Sequence, residues 1–124
     1  MKANELMIGD WIADKRGDKA RVVNIITDEI EGCYYGIDTD ANYTVQFEDA
    51  RPIPLTGDIL NKNFPDVRYG IAWYWDDNKS TYNETWYEVR TLDIEGMELC
   101  VNIRYVHELQ HVLRLCGIEK EIVL

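Results

Sequence analysis

Leu6-Met7-Ile8-Gly9-Asp10-Trp11-Ile12-Ala13-Asp14 and Ala20-Arg21-Val22-Val23-Asn24-Ile25-Ile26-Thr27 are two β-rich runs joined by Lys15-Arg16-Gly17-Asp18-Lys19. Branched and aromatic side chains fit a pleated surface, and the joining stretch carries the glycine that a tight connection needs. The pair predicts a β-hairpin. Residues 33–37 and 43–48 predict two more strands. In the latter, Tyr43, Val45 and Phe47 alternate with Thr44, Gln46 and Glu48, sending one face inward and the other to water. Four or five short strands within about fifty residues predict a small, strongly bent barrel. Arg51-Pro52-Ile53-Pro54 then interrupts pairing, because proline cannot donate to a ladder. The expected division is therefore residues 1–52 and 53–124, two parts that can still share one compact unit.

Outward from that boundary, Thr56 can cap a short helix running through Leu60 or Lys62, with Asp58 favourably placed in its first turn. Residues 69–75 place Ile71, Trp73 and Trp75 on one face of a strand, and residues 85–91 and 98–103 complete an antiparallel meander. From Arg104 to Cys116 the apolar period becomes helical, and Gly117 stands where a left-handed cap belongs. Residues 119–124 read as an edge strand or a packed extension. The fold class expected is α+β, dominated by antiparallel strands.

The 124 residues carry 23 Asp plus Glu against 13 Lys plus Arg, a net charge of -10 spread evenly along the chain. Phosphate backbones are bound by Lys and Arg that displace counterions, so direct binding to nucleic acid or to an anionic membrane is not expected. Cys33, Cys100 and Cys116 are widely spaced, with no CxxC, and read as reduced core thiols. No run of eighteen apolar residues is present, and the opening leads into a strand pattern instead of a signal-peptide core. The expected location is the cytoplasm.

The sharpest motif is His107-Glu108-Leu109-Gln110-His111, an HExxH on a predicted helix. Histidines four apart share a helical face and can jointly hold Zn²⁺, with the glutamate activating a bound water. On a helical wheel started at Val106, the apolar stripe centres near about 300°, while His107 and His111 fall at about 100° and 140°. Both histidines are thus expected to see water. A catalytic zinc needs a third protein ligand and a walled cleft, and the HExxHxxGxxH extension would require Gly at Arg114 and His at Gly117. A zinc hydrolase using His107, Glu108 and His111 is the alternative enzymatic reading. An adventitious Zn²⁺ or Ni²⁺ clip on the pair demands less, because it needs no pocket.

Asp38, Asp40 and Asn42 follow part of a calcium-loop spacing, but Tyr43 occupies the position that needs glycine, and a strand follows instead of a helix. A hairpin turn explains them better. Tyr69, Trp73, Tyr74, Trp75, Tyr82, Trp86 and Tyr87 are too dense for all to be core, and exposed aromatic rings mark interfaces. Tyr74, Tyr82, Trp86 and Tyr87, with Asp76 and Asp77, are the expected partner-binding residues. There is no P-loop, GxGxxG or GxSxG, and no cofactor is implied.

Three stretches resemble a group of short uncharacterised proteins of gut bacteria and their prophages. Asn4-Glu5-Leu6-Met7-Ile8-Gly9-Asp10-Trp11-Ile12 is similar to that group's NxLRIGNWV opening, departing from it at Met7 and Asp10. Pro52-Ile53-Pro54-Leu55-Thr56 with Ile59-Leu60 is similar to its middle signature, and Tyr105-Val106-His107 with Leu109-Gln110 to its YVHxLQ helix. Glu108 and His111 lie outside the group's pattern. The resemblance implies an accessory role in a phage or mobile element and names no activity. The opening also resembles the first strand of SH3-like small barrels, which usually bind partners. The expected function is a non-enzymatic protein-binding module. A zinc hydrolase, an acidic DNA mimic and an assembly protein are the alternatives.

Overall fold

Trp11–Ala13 (β1) and Lys19–Asp28 (β2) pair antiparallel in the computed structural model, with Trp11 opposite Arg21 and Ile12 opposite Ala20. The structure describes residues 1–28, 33–64, 71–75, 87–91 and 100–124. The chain is α+β and divides into two compact units, Met1–Ile53 and Pro54–Leu124, which part between the two prolines of Pro52-Ile53-Pro54. Among the described residues no helix is long and apolar enough to cross a membrane.

The first unit is a four-stranded antiparallel sheet in the order β1-β2-β3-β4, completed by Cys33–Thr39 (β3) and Thr44–Val45 (β4). Its described strands do not close on themselves. Strict alternation along β2 would send Ala20, Val22 and then Asn24 inward. A register shift between Val22 and Asn24 changes the phase, so that Ile25, opposite the fully buried Ile37, packs on the core while Asn24 stays exposed. Val23 is the extra residue of this bulge, and it is displaced outward. Leu6, Ile12, Val22, Ile37, Val45 and Ala50 form the core, with Tyr43 and Phe47 packed against it.

Two strands are shorter than the sequence predicts. The expected strand over residues 6–14 begins only at Trp11, because the preceding residues form a turn closed by Asp10. Its fully buried carboxylate accepts from the Met7 N–H at 2.8 Å, its own N–H returns to the Met7 carbonyl at 3.1 Å, and Gly9 takes a positive φ of 92°. The expected strand over residues 43–48 stops at Val45. Beyond it the Asp49 and Ala50 N–H groups turn back to the Gln46 carbonyl, and Arg51 then pairs with Ala13.

The second unit holds a three-stranded antiparallel meander, Ile71–Trp75 (β5), Tyr87–Thr91 (β6) and Cys100–Ile103 (β7), with two helices. Gly57–Asn63 (α1) begins at Thr56, whose hydroxyl accepts from the Ile59 N–H at 3.2 Å. Val106–Leu115 (α2) buries Val106, Leu109, Val112 and Leu113. It ends at Gly117, whose φ of 71° lets the Ile118 N–H reach back to the Leu113 carbonyl at 2.9 Å.

Residues 119–124 form a packed extension, not a strand, and bury Ile122. The buried Asn63 amide holds it by donating to the Val123 carbonyl and accepting from the Val123 N–H, both at 2.8 Å. A side chain here satisfies the two backbone groups that a neighbouring strand would otherwise pair.

Candidate functional site

The HExxH residues lie in the first two turns of α2, and their arrangement corrects the wheel. His107 is only 7% exposed and His111 is half-buried. Tyr105, one residue before the helix, stacks on the His107 ring with centroids 5.9 Å apart, and the His111 ring lies edge-on to it at 5.6 Å. A wheel registers which way a helical residue points. It does not register a ring from the flanking chain folding over that residue.

Glu108 is turned back on the start of its own helix. One carboxylate oxygen, Oε1, accepts from the backbone N–H groups of both Arg104 and Tyr105, each at 3.0 Å. The Tyr105 N–H is the N-cap donor that a capping glutamate satisfies, the Arg104 N–H lies one residue before it, and an acid in the first turn also suits the helix dipole. The two bonds engage Oε1 of the carboxylate that the HExxH pattern would use to activate water. Among the described residues no group of three or more His, Cys, Asp or Glu side chains could enclose a metal ion.

Of the expected contact residues, Tyr87 is buried, 5% exposed, at the start of β6. Burial pushes its phenol up from the ordinary tyrosine range, opposed by a hydrogen bond from the Gly57 backbone. Tyr87 is therefore a packing residue, not a surface contact. The alternation argument missed this because it fixed only that Trp86 and Tyr87 face opposite ways, not which of the two faces in. Tyr74 stands opposite Glu88 in the β5–β6 register, while Asp76, Asp77, Tyr82 and Trp86 lie outside the described residues.

The described surface offers a different apolar face. Met7, Ile8 and Val23 are 46%, 56% and 48% exposed. The Gly9 N–H donates to the Val22 carbonyl at 2.7 Å, which lays Met7-Ile8 beside the Val22-Val23 bulge. Trp11, half-buried on the outer side of β1, carries the Arg21 guanidinium 5.4 Å from its ring centroid. The Arg21 Nε donates to Asp40 at 3.1 Å, and its backbone N–H to the same carboxylate at 2.8 Å. That backbone bond, with the guanidinium beside it, holds the Asp40 carboxyl below the usual carboxylate range against the cost of its partial burial.

No family model, curated protein or solved structure matches this chain.

The calcium-like spacing is a hairpin in the structure. Asp38 accepts from the Thr44 hydroxyl at 2.9 Å, Asp40 is engaged by Arg21, and Asn42 makes the turn with a positive φ of 63°. A cleft of about 280 Å³ lies nearby in the first unit, where Asp14, Lys15 and Arg16 face Tyr43, Gln46 and Asp49. Its charges are already internally matched: Arg16 reaches Asp14 at 3.8 Å and Lys15 reaches Asp49 at 4.0 Å. Desolvation, then Asp14 and Asp18, push the Tyr43 phenol up. Cys116, half-buried at the end of α2, has its thiol pushed up by burial, the opposite of what a nucleophile needs.

Two signals in the sequence pointed to these features. The doublets Val22-Val23 and Ile25-Ile26 around Asn24 cannot all face inward on a regular strand, which requires either a bulge or an exposed apolar residue. Glu108 stands three residues after Tyr105, the spacing of a capping glutamate, although Tyr105 is not a usual capping residue.

Proposed function

We propose that this chain is a non-enzymatic protein-binding module of a phage or mobile element, and that it meets its partner through the outer face of β1–β2 at Met7, Ile8, Val23 and Trp11. The observation that carries this reading is the exposure of three large apolar side chains, Met7, Ile8 and Val23, which the Gly9–Val22 hydrogen bond brings together at the β2 bulge. They lie on a face whose backbone is fixed by the Asp10 turn and the β2 bulge. Exposed apolar groups set on a rigid frame bury area on binding at little ordering cost. Trp and Arg, here in contact, are the residue types that most often dominate binding energy.

The first unit is read as a small SH3-like barrel. The return of Arg51 to pair with Ala13 supports this, since it brings the chain after β4 back to the free side of β1. Tyr74, Asp76, Asp77, Tyr82 and Trp86 form a second candidate surface, resting on composition and strand alternation alone.

Affinity capture with the intact chain, followed by calorimetric titration of the captured protein, tests the reading. Ile8→Glu with Val23→Glu is expected to weaken binding at least about tenfold while the fold is retained. Undiminished binding in that variant, lost instead in Trp86→Ala, would move the site to the second surface.

A further inference from the structure

The cleft of about 280 Å³ beside the β1–β2 turn lies below the range of small-molecule pockets and is of a size for one side chain. Buried Val45 and the half-buried Tyr43 line it, and Asp14 and Asp49 supply its carboxylates. The Asp14 side chain is only 9% exposed, and both hydrogen bonds it accepts, from the Arg16 and Asp18 N–H groups at 2.8 and 3.0 Å, go to Oδ1. Among the described residues Oδ2 accepts none and has only the Arg16 guanidinium near it, at 3.8 Å. A carboxylate oxygen so far withdrawn from water favours a charged donor at about 2.7–2.9 Å.

The cations at the cleft meet that demand loosely. Arg16 stands 3.8 Å from Asp14 and 3.7 Å from Asp18, and Lys15 stands 4.0 Å from Asp49, all beyond hydrogen-bonding distance. Their side chains are 74% and 68% exposed, so these contacts are weak and readily exchanged. Among the described residues no group of three His, Cys, Asp or Glu side chains could hold a metal ion, and the two carboxylates here suit an organic cation instead. A guanidinium fits better than an ammonium, because it is planar and less strongly hydrated. Its face can lie on the Tyr43 ring while its N–H edge reaches the carboxylates. We propose that this cleft receives an arginine side chain of a partner protein, whose guanidinium displaces Arg16 from Oδ2 of Asp14 and lies against Tyr43. The site shares no residue with the Met7-Ile8-Val23 face and stands whether or not that face binds.

The test is a nuclear magnetic resonance titration of the isotope-labelled full chain with Nα-acetyl-arginine amide in about 0.15 M NaCl, read at the amides of residues 14–18 and 43–49. Nα-acetyl-lysine amide is the comparison. A ligand of about fifteen heavy atoms at ordinary efficiency has a dissociation constant on the order of a millimolar. The arginine compound is expected to saturate these shifts and the lysine compound to bind more weakly. Arg16→Gln removes the resident competitor and should tighten binding by about two- to fivefold. Asp14→Asn keeps Oδ1 for the two N–H groups, puts an amide nitrogen in place of Oδ2, and should abolish saturation. Should Asp14→Asn fail to fold, Asp49→Asn decides, since that side chain is held only by Lys15 at 4.0 Å, and binding should fall by about threefold or more. No saturation by about 20 mM, equal binding of the lysine compound, weaker binding in Arg16→Gln, or undiminished binding in the deciding Asn variant overturns the proposal.

Discussion

On the first unit's β1–β2 face, Met7, Ile8 and Val23 stand about half exposed, whereas at the start of α2 in the second unit His107 and Glu108 are turned toward protein. Hydropathy alone would have reversed the two. Backbone demand accounts for the difference. A bulge and a positive-φ glycine push apolar side chains out at one place, and the orphan N–H groups of a helix start draw a carboxylate in at the other. In a chain with ten excess negative charges, acids near turns and helix starts are readily taken up by the backbone. The spacing of a catalytic motif is therefore weaker guidance here than the hydrogen bonds its residues already make.

The largest expected effect comes from breaking the frame of the apolar face. Asp10→Ala removes a buried carboxylate bonded to the Met7 N–H, and should lower stability by about 2–3 kcal/mol in urea unfolding. A loss below about 0.5 kcal/mol would mean the turn is held by something else. The contrast at α2 comes next. Glu108→Ala should cost about 1 kcal/mol and Glu108→Gln far less, since the amide oxygen can still accept both N–H groups. Equal losses for the two would show that the charge matters and the cap does not.

Smaller still is the effect of Ile8→Glu or Val23→Glu on the free protein, within about 0.5 kcal/mol for each, because neither side chain belongs to the core. A loss of several kcal/mol would turn the proposed binding face into a structural one. The smallest effect is the acid dependence of the Arg21–Asp40 pair on the same sheet. The folded carboxyl titrates below its unfolded value, so its contribution is complete above about pH 4 and is lost as pH falls through the lower folded value. Comparing acid unfolding of Asp40→Asn with that of the parent chain should show a shallower decline in this window. An unchanged slope would remove the pair from the account.

How far the sequence could be read follows from the same physics. Thr56 and Gly117 each declare a helix end because their local chemistry suffices, and Val45 faces inward as its alternation requires. The antiparallel order of the second unit follows from its short connections. The bulge at Val23 and the early end of the strand after Val45 depend on partners far along the chain, Thr39 and Asp38 in one case and Ala13 in the other. No local pattern fixes those. The burial of His107 depends on Tyr105, which lies outside the helix the wheel describes, and the burial of Tyr87 on its place in the second unit. Of the candidate site, the helix carrying the histidines was legible, whereas the Val22-Val23 doublet and the Tyr105–Glu108 spacing signalled the exposed β1–β2 face and the use of Glu108 without fixing either.

The working surface proposed for this chain is the apolar β1–β2 face and not the HExxH motif. Its most direct test is one side-by-side measurement of partner retention on three immobilised full-length chains: the parent, Ile8→Glu/Val23→Glu, and His111→Ala. A partner held by the parent is expected to be lost from the first variant and kept by the second. Loss from His111→Ala together with retention by Ile8→Glu/Val23→Glu would contradict it.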